Sequence, residues 1–152
     1  MAGTKPAESE SGSFDLERFI RAQDPVYSQV LAELRAGRKR SHWMWYVFPQ
    51  LAGLGHSATA RFYALTGPGE ASAYLAHPVL GSRLQECSET LLKPRNITAF
   101  SVFGYPDELK LRSSMTLFAE VSAPGSVFVR VLDRFFAGQR DSNTLQLLAH
   151  RD

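Results

Sequence analysis

Apolar residues recur along this chain at the spacing of an α-helix. In the clearest case Tyr27, Val30, Leu31 and Leu34 fall at positions i, i+3, i+4 and i+7, which places them on one helical face. Further sets with helical spacing are Leu80, Leu84, Cys87 and Leu91; Leu111, Met115 and Phe118; and Phe128, Val131, Leu132 and Phe135. Clean alternation is suggested only from His42 to Phe48, and Pro49 argues against a central strand there. The pattern predicts an all-α fold of short packed helices.

Capping residues and helix breakers divide the pattern into elements. Asp24-Pro25 is typical of a helix start, a carboxylate cap followed by proline in the first turn, and Gly37 predicts where that helix ends. Gly67-Pro68-Gly69 predicts a turn. Candidate caps of later helices are Asn96 or Thr98, Ser126 and Asp141.

The chain has 152 residues, of which 44% are hydrophobic and 21% charged, as expected of a single domain. Residues 1–12 consist largely of Ser, Glu, Gly and other small or polar residues and offer no apolar face, so we expect a disordered N-terminal tail. Residues 13–152 are expected to form one compact helical domain. We see no internal repeat.

Composition excludes several classes of function. The net charge is +2 without visible clustering, so a nucleic-acid partner is not expected. Cys87 is the single cysteine, which rules out an internal disulfide; its helical position suggests a buried, inert thiol. No metal site or cofactor is indicated, and no apolar run reaches the roughly 20 residues of a membrane span. The expected location is the cytoplasm.

The stretch Lys39 to Gly55, KRSHWMWYVFPQLAGLG, concentrates aromatic and polar side chains. Lysine can neutralise phosphate, histidine can donate a hydrogen bond or transfer a proton, and indoles stack on planar rings or cations. Lys39, His42 and Gln50, framed by Trp43 and Trp45, are therefore candidate ligand-binding residues. The partner that fits this chemistry is a small anionic or nucleotide-like ligand.

Within this stretch we expect His42 and Gln50 to serve the ligand, while Trp43 and Tyr46 mainly build the wall. Histidine and glutamine are poor core residues, because burying an imidazole or an amide without partners costs about 1–3 kcal/mol. The competing interpretation is a core wall, since tryptophans at helical spacing are usually buried.

A second candidate segment is DELKLRSSMTLF, from which Lys110 and Ser113 are added to the predicted ligand site. Asp107 and Lys110 stand at i and i+3, the spacing of an ordinary exposed helix pair. Ser113 and Ser114 can equally serve as small residues at a contact between helices.

Four segments together resemble the DUF1810 family. They are AQDPVYSQVLAELRAGRKRSHWMWYVFPQLAGLG, AYLAHPVLGSRL, DELKLRSSMTLF and LDRFFAGQRDSNTLQLL, and the resemblance runs from about Phe14 to Leu148. It implies a mostly α-helical single domain and brings no established activity. Some members carry the label calpastatin, which would imply a calpain inhibitor of the long, disordered and repetitive kind, whereas this sequence is compact and free of repeats.

Two classes of function remain open. One is a pocket protein, or an enzyme, that acts on a small anionic ligand around SHWMWYVFPQ; the sequence names no reaction. The other is a non-enzymatic interaction module that docks a partner protein on the aromatic run. RNA binding through aromatic stacking is a weaker third. Convergence of His42, Gln50 and Lys110 in one pocket would favour the first class, and a flat exposed aromatic patch would favour the second.

Overall fold

The computed structural model describes residues 14–151, and within them the chain folds into ten helices and no strand. The helices are α1 (Glu17–Gln23), α2 (Tyr27–Ala36), α3 (Met44–Val47), α4 (Ala58–Tyr63), α5 (Pro68–Ala76), α6 (Leu80–Leu91), α7 (Ala99–Phe103), α8 (Asp107–Glu120), α9 (Val127–Phe136) and α10 (Ser142–Leu148). One isolated bridge joins Leu51 and Leu65. The predicted all-α fold is confirmed. The tail predicted over residues 1–12 lies outside the described residues.

Helix α8 is the centre of the domain. It packs against α5, α7, α9 and α10, and every residue from Ser113 to Ala119 is buried. The hydroxyl groups of Ser113 and Thr116 donate to carbonyl oxygens within the helix, whereas the buried Ser114 hydroxyl has no hydrogen-bond partner among the described residues. Helix α6 is the second helix around which others pack, and it contacts α2, α5 and α9. The core therefore lies between α8 and α6.

A buried ion pair ties the N-terminal helix to this core. Arg18 lies 3.2 Å from Glu70, and both side chains are almost fully buried. Arg18 also donates hydrogen bonds to the carbonyl oxygens of Phe62 and Ala64, while Glu70 accepts one from the backbone N–H of Thr66. A buried ion pair is tolerated only when such additional bonds offset its desolvation.

Several predicted boundaries are confirmed by the cap geometry. Gly37 ends α2 in the left-handed conformation with φ of 77°. Thr98 caps α7, and Ser126 and Asp141 cap α9 and α10 through their side-chain oxygens. These are local effects, because each cap bonds a backbone N–H three residues ahead.

Two boundary predictions were wrong. Helix α2 begins at Tyr27, and Asp24 instead ends α1, its N–H donating to the carbonyl of Ile20. The segment Gly67–Gly69 is a helix start and not a turn, since Pro68 is the first residue of α5. Proline is favoured at that position because its missing N–H would have no partner there.

The thiol of Cys87 is buried, as predicted, with no exposed surface. This burial raises the pKa of Cys87 to about 12. A thiol with so high a pKa carries almost no thiolate at neutral pH and is unreactive.

Candidate functional site

The SHWMWYVFPQ stretch folds as a loop, the single turn of α3 and an extended exit. Its largest apolar side chains are buried: Trp43 is 1% exposed and Phe48 is fully buried. The two rings pack with centroids 6.2 Å apart, and both also meet the ring of Phe103. The aromatic run is thus largely a core wall and does not form a flat, exposed docking patch.

Glu33 of α2 organises the loop that leads into this stretch. Its Oε1 accepts hydrogen bonds from the backbone N–H groups of Arg40 and Ser41, at 2.8 and 3.1 Å, and from the indole N–H of Trp43 at 2.8 Å. Its Oε2 accepts from the Ser41 hydroxyl at 2.6 Å and from Gln29 at 3.0 Å. Burial acts to raise the pKa of Glu33, but these hydrogen bonds outweigh it and lower the pKa to about 2.

This role of Glu33 was missed from the sequence. The available signal was its position, because Glu33 stands three residues after Val30 and directly before Leu34, at the edge of the apolar face of α2. A carboxylate at a buried helical position needs donors from elsewhere in the fold. The loop of residues 40–43 supplies them.

Two predicted site residues from distant segments meet at one carboxylate. The ammonium of Lys39 lies 2.8 Å from Asp107 Oδ2, and that of Lys110 lies 3.0 Å from Oδ1. Lys39 is held in place because its backbone N–H donates to the carbonyl of Val102 in α7. Burial alone would raise the pKa of Asp107, but the hydrogen bonds from both lysines lower it below its ordinary value. Two ammonium groups and one carboxylate leave a surplus positive charge.

Each lysine also lies over an indole ring. The Lys39 nitrogen is 5.2 Å from the ring centroid of Trp43, and the Lys110 nitrogen is 4.4 Å from that of Trp45. Both distances are within the range of cation–π attraction. We call these five residues, Lys39, Trp43, Trp45, Asp107 and Lys110, the dilysine cluster. Four of them were predicted as ligand-binding residues, whereas Asp107 was expected only to pair with Lys110.

The exposure of the two lysines differs. The side chain of Lys39 is 7% exposed and that of Lys110 is 21% exposed. Trp43 is buried beneath Lys39, while Trp45 is half-buried beneath Lys110. The Lys110–Trp45 half of the cluster is therefore the half that solvent reaches.

The other predicted site residues lie outside the cluster. Gln50 and Trp45 line a cavity of about 10 Å³ with Gly55, Ala60 and neighbouring residues. A cavity of that size holds at most one water molecule. His42 is exposed and does not line this cavity. The hydroxyl of Ser113 is used within α8, where it donates to the carbonyl of Leu109 at 3.2 Å.

A larger groove lies away from these residues. It has a volume of about 880 Å³ and runs between α6 and the α8–α9 connection. Glu86 and Glu89 line it, and no lysine or arginine does. Its electrostatic character is therefore opposite to what an anionic ligand requires.

Within residues 14–151, His, Cys, Asp and Glu side chains form no group of three that could hold a metal ion. None of the helices in that range is both long and apolar enough to cross a membrane.

The family model described as protein of unknown function, DUF1810, matches residues 13–148. The chain belongs to the DUF1810 family. This DUF1810 domain is also similar to a solved structure, the conserved hypothetical protein Rv1873 from Mycobacterium tuberculosis. The two are 50% identical with a TM-score of 0.88, over 90% of this chain and 98% of that one. No curated protein matches the chain. The family description and the relative's name describe no activity, so the function of the DUF1810 domain must be inferred from its own residues.

Proposed function

We propose that this domain binds a small anionic ligand at the exposed half of the dilysine cluster. The observation that carries the proposal is the convergence of Lys39 and Lys110 on Asp107, which leaves a net positive charge in a partly desolvated place. A charge in such a place attracts an anion more strongly than a fully solvated lysine does. Lys39 and Asp107 hold the cluster together, and Lys110 presents the ammonium group to the ligand.

The chemistry of the cluster indicates the class of ligand. The ammonium group of Lys110 fits a phosphate or carboxylate oxygen, and the half-exposed indole of Trp45 offers an apolar surface to a planar ring. A nucleotide-like molecule carries both groups. Because the neighbouring cavity is only about 10 Å³, the ligand would lie against the outer surface of Trp45 and not in a deep pocket.

The alternative function, docking of a partner protein on the aromatic run, has less support. Trp43 and Phe48 present almost no surface to a partner.

The test uses the two indole N–H signals as separate reporters. Inorganic phosphate and then adenosine monophosphate are titrated into the uniformly ¹⁵N-labelled protein. We expect the Trp45 signal to shift in a saturable way, while that of Trp43, which is bonded to Glu33, shifts little. Absence of any saturable shift at Trp45 with both compounds would show that the cluster is not a ligand site.

A pair of matched variants attributes binding to the cluster. Lys110→Gln removes the exposed ammonium group, whereas Lys93→Gln removes an exposed lysine outside the cluster. We expect the first variant to lose the Trp45 response and the second to keep it. An unchanged response in Lys110→Gln would contradict the proposal.

The predicted ligand roles of His42 and Gln50 are tested in the same titration. Gln50 borders Trp45 and His42 is exposed, so His42→Phe and Gln50→Met should leave the fold intact. Because both side chains lie outside the dilysine cluster, a ligand role for either requires that its variant also weakens the Trp45 response. If thermal melting shows that either variant unfolds as readily as Trp43→Ala, that side chain is structural.

A further inference from the structure

Two stretches of the chain contain basic residues and no acidic ones. Residues 34–69 include Arg35, Arg38 and Arg40 and contain no Asp or Glu. Residues 90–106 include Lys93 and Arg95 and likewise contain no Asp or Glu. In the sequence these stretches lie apart, and the net charge of +2 conceals them. Local carboxylates that could neutralise these side chains are absent from both segments.

The fold brings the two stretches together and adds α9 to them. The guanidinium group of Arg95 donates to the carbonyl oxygens of Leu34 and Arg35 at the end of α2, at 2.8 and 2.6 Å. Arg134 of α9 donates to the carbonyl oxygens of Arg95 and Ile97, at 3.0 and 3.2 Å. The loops after α2 and α6 therefore lie against each other, and the turn of α9 that ends at Arg134 lies against the second loop.

We call this the basic surface and define it by seven residues: Arg35, Arg38, Arg40, Lys93, Arg95, Arg130 and Arg134. All but Arg95 are exposed. Arg130 stands one helical turn before Arg134, so both face the same side of α9. Arg95 is partly buried, and its guanidinium group donates hydrogen bonds to carbonyl oxygens in the last turns of α2 and α6, where a positive charge is favourable.

The charges of the basic surface are not neutralised within the fold. Among residues 14–151, the salt bridges involve Arg18, Lys39, Arg83, Lys110, Arg112 and Arg140, none of which belongs to the basic surface. Of the nearby carboxylates, Glu33 is buried and fully hydrogen-bonded, and Asp107 is held by two lysines. Asp133 of α9 is the exposed acidic residue on these segments. Since the whole chain carries only +2, the remaining surface is net negative.

We propose that the basic surface binds the phosphate backbone of a single-stranded polynucleotide. Five of its six exposed residues are arginines, whose planar guanidinium groups bind phosphate oxygens in pairs. The guanidinium group of Arg95 is held by backbone carbonyl oxygens and positions the loops. Phe100 of α7 is 61% exposed. It stands three residues after Ile97, whose carbonyl oxygen accepts a hydrogen bond from Arg134 of the basic surface. An exposed aromatic ring beside a row of positive charges is the platform on which an unpaired base stacks. A duplex, whose bases are already stacked, could not use it.

Fluorescence anisotropy with a labelled oligothymidine of about 12 nucleotides tests this proposal. We expect binding that weakens steeply with salt, because each phosphate contact adds about −0.7 to the slope of log affinity against log salt concentration. Arg38→Gln/Arg40→Gln should weaken binding roughly 10- to 30-fold and make that slope less steep. Both side chains are exposed, and a melting curve checks that the double variant is folded.

The matched control is Arg21→Gln/Arg61→Gln, which removes two exposed arginines outside the basic surface and gives the same net charge. It should bind almost as the parent protein does. Phe100→Ala should weaken binding without changing the salt slope, because stacking releases no counterions. Arg38→Gln/Arg40→Gln should keep the saturable Trp45 response to inorganic phosphate, so failure of this proposal and failure of the anion site are separate results.

Three results would overturn the proposal: no binding to oligothymidine at 50 mM salt, an equal loss in both double variants, or equal affinity for a duplex with no effect of Phe100→Ala. Binding to phosphatidylserine vesicles but not to the oligonucleotide would also overturn it and would assign the basic surface to a membrane.

Discussion

Replacing Glu33 by glutamine isolates the contribution of one buried carboxylate to the loop that carries the candidate site. The glutamine has nearly the same shape and retains one oxygen in place of Oε1, where three N–H donors converge. Its amide group replaces Oε2, which accepts from Ser41 and Gln29. The change therefore removes the charge and one acceptor with little change in packing.

The lowered pKa of Glu33 gives the size of the expected loss in the free energy of unfolding. Lowering this pKa from 4.5 to about 2 corresponds to about 3 kcal/mol of stabilisation of the folded state at neutral pH. Since glutamine keeps one acceptor oxygen, we expect Glu33→Gln to lower the free energy of unfolding by about 2–3 kcal/mol at pH 7. The indole N–H signal of Trp43 should also move, because its acceptor loses its charge.

The stabilising contribution of the Glu33 carboxylate should decrease as the pH is lowered. A carboxylate whose pKa is lower in the folded state contributes fully above its unfolded value of 4.5, and the contribution is lost as the pH falls towards 2. The difference between parent and variant should thus be constant from pH 7 to about 5.5 and fall to about half by pH 3. Urea unfolding followed by circular dichroism at several pH values measures it.

The control is Glu89→Gln on α6, where the carboxylate is exposed and bonded only to Gln85 among the described residues. This variant should differ from the parent by less than about 0.5 kcal/mol at pH 7. A Glu33→Gln variant as stable as the control, or a stability difference that does not change between pH 7 and pH 3, would refute the reasoning.

Three further predictions follow from burial. Trp43→Ala should lower the free energy of unfolding by about 3–5 kcal/mol by opening a cavity. Trp45→Ala should lower it by less, because the Trp45 ring is only partly buried, and equal losses in urea unfolding would contradict this. Cys87, with its pKa raised to about 12, should react with a thiol reagent at pH 8 only after denaturation, and rapid labelling of the native protein would place it at the surface. Deleting residues 1–12 should leave the melting temperature unchanged, since they offer no apolar face, and a lower melting temperature would show that they pack on the domain.

Part of the candidate site could be predicted from residue types alone. Lys39, Trp43, Trp45 and Lys110 were selected because lysine binds anions and indoles flank ligands, and the structure brings these four into one cluster. The role of Asp107 between the lysines could not be predicted, because its partner Lys39 lies 68 positions earlier in the chain. His42 and Ser113 had the same kind of support in the sequence, yet they lie outside the cluster.

The sequence by itself determined the all-α class and several helix ends. Apolar spacing, side-chain caps and glycine at a positive φ act over three or four residues, so Gly37, Thr98 and Ser126 have the same effect wherever the helix packs. Which charged side chains are paired or buried could not be predicted from such local patterns. Glu33, the dilysine cluster and the basic surface depend on loops that meet only after α2, α6, α7 and α9 have packed. Burial and the distance between charged groups decide whether a charge is neutralised, and both are properties of the tertiary structure.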